Sequence, residues 1–162
     1  MTKKHNIYFG IYYCLFVLCS IFFGYFMGSI SIIEDINPSY PTKGMDNFLI
    51  VLEHNTKNFF MYLICPLLSP IFQLSDFIGS SFQITIGIKI LGVKEGLDKL
   101  YPYAFFEFPN LILYQGISQY LLWYLVITKS IKKTLHKMKS FLKFYIFSYI
   151  ILVISALIEG FI

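Results

Sequence analysis

The chain alternates long apolar runs with short polar ones, and the apolar runs approach the length of membrane crossings. A helix rises about 1.5 Å per residue, so roughly 20 apolar residues span the hydrocarbon core of a bilayer. Spans are predicted at residues 7–33, 59–74, 77–93, 102–128 and 144–162. The first carries no charge and places Ser20, Gly24 and Gly28 four apart. Small residues at that spacing let two helix backbones approach closely, either within the protein or against a second copy in a homo-oligomer.

Residues 34–44, EDINPSYPTKG, combine acids, prolines and a glycine and predict a loop. Beyond it Met45, Phe48, Leu49, Leu52, Thr56, Phe59 and Phe60 share one helical face. Asp46, Glu53, Asn55 and Lys57 lie off that face or at its border, so residues 45–58 read as an interfacial amphipathic helix feeding the second span. That span contains Pro66 and Pro70. Each removes a backbone donor and crowds the preceding turn, which predicts a kink, either static or serving as a hinge or cavity wall. In lipid the freed carbonyls need new donors, and Ser69 and Ser75 are nearby candidates. SDFIGSS, residues 75–81, predicts a tight turn with Asp76 as helix cap. The third span holds one charge, Lys89, and KEGLDK, residues 94–99, predicts the next loop. Residues 129–143 form a basic segment with Lys129, Lys132, Lys133, Lys137, Lys139 and Lys143, in which His136 reads as solvated.

Composition agrees with this pattern. Apolar residues make up 57% of the chain and charged residues 14%, against about 25% charged in a soluble domain. A chain of 162 residues forms one domain and cannot bury so much apolar surface in its own core, so lipid is the expected solvent for much of it. All thirteen basic residues are lysine. Nucleic-acid reading favours the bidentate guanidinium, so no nucleic-acid partner is expected. Cys14, Cys19 and Cys65 sit inside apolar runs without metal or disulfide spacing, and no metal or cofactor is implied. The first apolar run exceeds the roughly 7–15 residues of a signal h-region and reads as an uncleaved first span.

Lysine also orients the spans. Placing residues 129–143 in the cytoplasm puts the N-terminus inside and the acidic residues 34–35 outside. The expected fold is therefore an all-α polytopic membrane bundle of about five transmembrane helices, with the C-terminus outside. In that arrangement Lys89, Glu107 and Glu159 reach similar depths near the outer surface. They predict an intramembrane polar cluster, joined by His54 and Asn55, in which Lys89 either pairs with the acids or snorkels to the headgroups. Pro109 opens the helix near Glu107. Zinc-protease, nucleophile-elbow and P-loop motifs are absent, so no enzyme activity is expected.

These residues carry a resemblance. His54–Asn55 heads the second span, PYAFFE runs from Pro102 to Glu107, and Ala156, Ile158, Glu159, Gly160 and Phe161 form an A-x-IEGF ending. From about Asp46 onward the chain resembles the stage II sporulation protein M family. Tyr103 and Ala104 stand where that family usually has histidine and glycine. The resemblance implies a five-helix, non-enzymatic protein of the bacterial cell membrane. It implies either a membrane subunit of a bacteriocin or peptide export or self-immunity system with a separate ABC-type ATPase, or a scaffold anchoring cell-wall hydrolases in sporulation or envelope remodelling.

Overall fold

A computed structural model describes residues 3–32 and 43–161, all of whose regular structure is helical. The elements are α1 (Lys3–Ile30), α2 (Met45–Ile64), a 3-10 turn (Pro66–Leu68), α3 (Ser69–Leu91), α4 (Val93–Thr128), α5 (Ile131–Ser140) and α6 (Leu142–Phe161). The loop predicted at residues 34–44 falls largely outside the described residues.

Residue pairings give the directions. Gly24 meets Ile78 and Ser81, and Gly28 meets Phe82 and Thr85, so α1 and α3 run parallel. Tyr120 of α4 bonds Asn6 while Tyr13 bonds Ile112, so α4 runs against α1. Phe59 packs on Tyr145 and Tyr149, and Phe48 on Phe161, so α2 runs against α6. Asn110 of α4 bonds Ser148 of α6 while Tyr120 packs on Phe141, just before α6, so α6 runs against α4 and in the same sense as α1 and α3, with α2 and α4 pointing the other way. One end of the bundle collects residues 3–4 and 129–143, which hold eight of the thirteen lysines and none of the nine acids.

Among the described residues three helices are long and apolar enough to cross a membrane: α1, residues Ala104–Thr128 of α4, and α6. The bent pair of α2 and α3 makes a fourth if it counts as one span. Much of this apolar surface faces outward, including Leu15, Leu18, Phe22 and Phe23 of α1 and Ile146, Phe147 and Ile150 of α6. A soluble monomer rarely exposes so continuous an apolar surface, whereas acyl chains solvate it.

The bend between α2 and α3 is built by two prolines. The chain axis turns through 99° between these helices. Pro66 cannot donate to the Tyr62 carbonyl one turn back. Ser118 of α4 supplies that bond instead, its hydroxyl donating to the Tyr62 oxygen at 2.7 Å. Pro70 likewise cannot donate to the Pro66 carbonyl, which instead accepts from the Ser69 N–H and from the Ser69 hydroxyl, the latter at 2.8 Å. Ser75, the other hydroxyl considered, faces a cavity instead.

The predicted tight turn at residues 75–81 is replaced by unbroken helix, with the break about ten residues earlier, at 65–68. The predicted spans 59–74 and 77–93 accordingly become α2 and α3, and α2 includes all of the predicted interfacial helix 45–58. Residues 94–99 are also helical, as the first turns of α4. The reversal before them is made by Gly92, whose φ of +81° suits glycine far better than any other residue. Pro109 leaves α4 continuous.

The basic segment is itself folded. Ser130 caps α5 by accepting the Lys133 N–H. Ile131, Leu135 and Met138 share the apolar face of α5, with Met138 packed against the core. Lys132, Lys133 and Lys139 are exposed, while the ammonium groups of Lys137 and Lys143 lie 5.0 and 5.2 Å from the ring centres of Phe141 and Phe144. An amphipathic lysine-rich helix of this kind suits a headgroup layer.

Candidate functional site: an acid-lined cavity

The V formed by α2 and α3 opens away from the proline bend, and α4 backs it. Between them lies a cavity of about 760 Å³. From α3 it takes Ser75, Asp76, Gly79, Ser80, Gln83 and Gly87, a polar and small stripe at helical spacing. His54, Asn55 and Asn58 face it from α2, Glu107 from α4 and Glu159 from α6. Three carboxylates thus line one cavity, and among the described residues of its lining there is no lysine.

Each acid is held differently. Asn55 donates its side-chain N–H to Glu107 Oε1 at 3.4 Å. Glu159 lies within electrostatic reach of both Glu107 and His54. Its place is set by Gly160, where a Cβ would come within 2.7 Å of the Phe48 Cα. Only glycine lets the end of α6 pack this closely on the start of α2, and the Gly44 N–H locks the contact by donating to the Gly160 carbonyl at 2.8 Å. This contact accounts for Glu159 near the end of an otherwise apolar helix: the close packing turns it into the cavity.

Asp76 forms the floor. Its Oδ2 accepts from the Tyr62 hydroxyl at 2.8 Å, the Asn58 amide at 3.0 Å and the Gln115 amide at 2.7 Å. Gln73, fully buried, extends the network by donating to the Gln115 carbonyl at 2.6 Å. Nearby, Asn110 and Ser148 bond each other across α4 and α6.

Of the residues singled out from sequence, Glu107, Glu159, His54 and Asn55 meet at this cavity. Lys89 does not join them. Its ammonium turns to the far side of α3 and donates to the carbonyls of Ser29 and Ser31, at the C-terminal end of α1. There a cation offsets the negative end of the helix dipole and occupies otherwise orphaned carbonyls. Ser20, Gly24 and Gly28 lie at the α1–α3 contact, where a Cβ on Gly24 would stand 2.3 Å from the Ile78 carbonyl oxygen. That face is buried inside the protein rather than offered to a second copy.

Sequence reasoning missed Asp76, read only as a cap, and the buried amides Gln73, Gln115 and Gln119. The signal was available: Gln115 and Gln119 lie four apart inside a predicted span. Polar side chains within a span face the bundle interior or an aqueous cavity rather than lipid. Compared with protein-family models, with curated proteins and with solved structures, the chain matches none.

Proposed function

We propose that the protein is a non-enzymatic integral membrane protein of the stage II sporulation protein M type, whose cavity receives a positively charged group from a peptide partner. On this reading it is the membrane subunit of a peptide export or self-immunity system and works with a separate ATPase. The observation that carries the reading is the gathering of three carboxylates, Asp76, Glu107 and Glu159, on one cavity, with no lysine among the described residues of its lining. Removing carboxylates from water is costly, and a cation entering the cavity offsets that cost.

The placement in the membrane goes with it. The alternating directions of α1, α2, α3, α4 and α6 support five passes. At 20 and 23 residues, α2 and α3 extend about 30 and 35 Å; the 99° turn between them tilts both and shortens that reach, so five passes require the bilayer to thin around the V. The lysine-rich end is cytoplasmic by the positive-inside rule, which turns the mouth of the V outward. The apolar face of α5 lies in the inner headgroup layer, with its lysines toward anionic lipid.

The test is a photo-crosslinking residue at Ser80 or Gly87, on the cavity wall, in cells that make the protein. A cross-linked peptide rich in lysine or arginine, lost in the Glu107→Gln/Glu159→Gln double variant, is expected. Adducts with lipid alone would refute the reading. Copurification of a cell-wall hydrolase without any ATPase would replace it with the scaffold role.

A further inference from the structure

The floor of the cavity has a chemistry that the upper acids do not share. Asp76 Oδ2 accepts three hydrogen bonds, all from uncharged donors: an amide of α2, a hydroxyl of α2 and an amide of α4. None of these donors brings a positive charge to the carboxyl group. The other oxygen, Oδ1, takes none of these three bonds.

A second observation points to what the anion meets. The amides that donate to Asp76 have oxygens without donors: Asn58 Oδ1 and Gln115 Oε1 are both buried and unpartnered. Gln115 is completely buried. Within one amide the oxygen and nitrogen are about 2.3 Å apart, so each of these oxygens lies within about 5 Å of Asp76 Oδ2. Gln73, also completely buried and bonded to the Gln115 backbone, has an unpartnered Oε1 as well. Buried acceptors without donors are rare in folded proteins, because each forfeits its bonds to water. Here two of them belong to amides that bond one carboxylate, and that carboxylate has no ion-pair partner among the described residues. Carboxylate and amide oxygens are hard ligands, the kind that replace the hydration shell of an alkali cation. Among the described residues no three His, Cys, Asp or Glu side chains gather as a metal-binding group, so the donor set lacks the charge and the nitrogen or sulfur ligands of a transition-metal centre. One negative charge surrounded by neutral oxygens suits one positive charge.

We propose that Asp76, with the side-chain oxygens of Asn58 and Gln115, binds a monovalent metal cation of the sodium class at the floor of the cavity. This rests on the reading of the cavity as a cation-receiving site within the membrane, and it adds an inorganic ion below the acids that face the partner. The bound ion ties α2, α3 and α4 together just inside the proline bend, where the two arms of the V diverge.

The experiment is a thermal-unfolding titration of the whole protein in detergent. Sodium chloride replaces choline chloride at constant ionic strength, with sodium-23 NMR line broadening as a direct readout of binding. Wild-type protein is expected to show a saturable rise in melting temperature with sodium, a smaller one with potassium, and broadening that fades on saturation. Asp76→Asn should lose both effects. Asn58→Ala removes one ligand and keeps the charge, and should weaken apparent sodium affinity roughly tenfold. It serves as the variant of record if Asp76→Asn does not fold. Gly10→Ala, remote from the cavity, should keep the sodium response. Equal behaviour of wild type in sodium and choline overturns the proposal, as does a sodium response unchanged in Asn58→Ala. If sodium fails while the cavity still captures a cationic peptide, only this inference falls. If sodium binds but no peptide is captured, the partner reading falls and the ion site stands.

Discussion

Replacing Gly24 with alanine adds one methyl group at the tightest approach between α1 and α3. The new Cβ would stand 2.3 Å from the Ile78 carbonyl oxygen and 2.9 Å from the Ser81 Cβ. The first of these is backbone and cannot rotate away, so the helices must part by about 1 Å to restore ordinary contact. Overpacking of this kind costs about 1–3 kcal/mol. The same separation weakens the bond from the Ser81 hydroxyl to the Ile21 carbonyl, now 2.8 Å, at a further cost of about 0.5–1.5 kcal/mol. Better helix propensity returns about 1 kcal/mol. The net loss is therefore about 0.5–3.5 kcal/mol. Gly10, on the same helix, has nothing within 4 Å of a Cβ, so Gly10→Ala retains only the propensity gain. The protein's single tryptophan reports on the helix concerned, because Trp123 stacks on Tyr12 and contacts Phe9 of α1. Unfolding in mixed micelles of rising dodecyl sulfate fraction, followed by tryptophan fluorescence, should place Gly24→Ala well below wild type and Gly10→Ala at or above it. Coincident curves for the two variants would refute the close-packing argument.

Other consequences are as direct. Ser118→Ala should cost about 1–3 kcal/mol in the same assay, because it leaves the Tyr62 carbonyl buried without a donor beside Pro66; a neutral result would mean that the bend does not depend on that bond. Lys89→Met should cost about 0.3–1 kcal/mol through loss of its contact with the end of α1. Combining Lys89→Glu with Glu107→Lys should give no rescue over the single changes, and a rescued double variant would restore the pairing that the geometry denies. Gly160→Ala should destabilise the α2–α6 contact by about 1–3 kcal/mol, and Gly79→Ala, with open space around its Cβ, should not.

The all-helical architecture was legible because long apolar helices declare themselves by length, and two prolines four apart announce a break; three of the five predicted spans are long and apolar enough by themselves, and the other two form the bent pair. The pairing of Glu107 with Glu159 in one polar site was legible too, since carboxylates in apolar spans need each other's surroundings. The errors share one cause. Polar residues at 75–81 were read as a turn, but Ser75, Asp76, Gly79, Ser80, Gln83 and Gly87 repeat at helical spacing and line one wall. A polar stripe that faces a cavity resembles a loop when its period is ignored. Lys89 fails for a related reason. It falls on the stripe of Ile78, Ser81 and Thr85, which faces α1, and not on the stripe with Asp76. Which helix lies against which face is tertiary information that composition does not hold. The Gly92 reversal was passed over in favour of KEGLDK, in which Lys94, Glu95 and Asp98 mark exposed helical turns rather than a loop.

The central claim is that an outward-opening, acid-lined cavity prefers positive charge, and thiol chemistry tests it most directly. In a background with Cys14, Cys19 and Cys65 replaced by alanine, a single cysteine at Ser80 or Gly87 is reacted in intact cells with two methanethiosulfonates, one bearing a trimethylammonium group and one a sulfonate. The account predicts labelling from outside, faster for the cationic reagent by roughly tenfold or more, with the preference reduced in Glu107→Gln/Glu159→Gln. Equal rates for the two reagents, or labelling only from the cytoplasmic side in inverted vesicles, would contradict it.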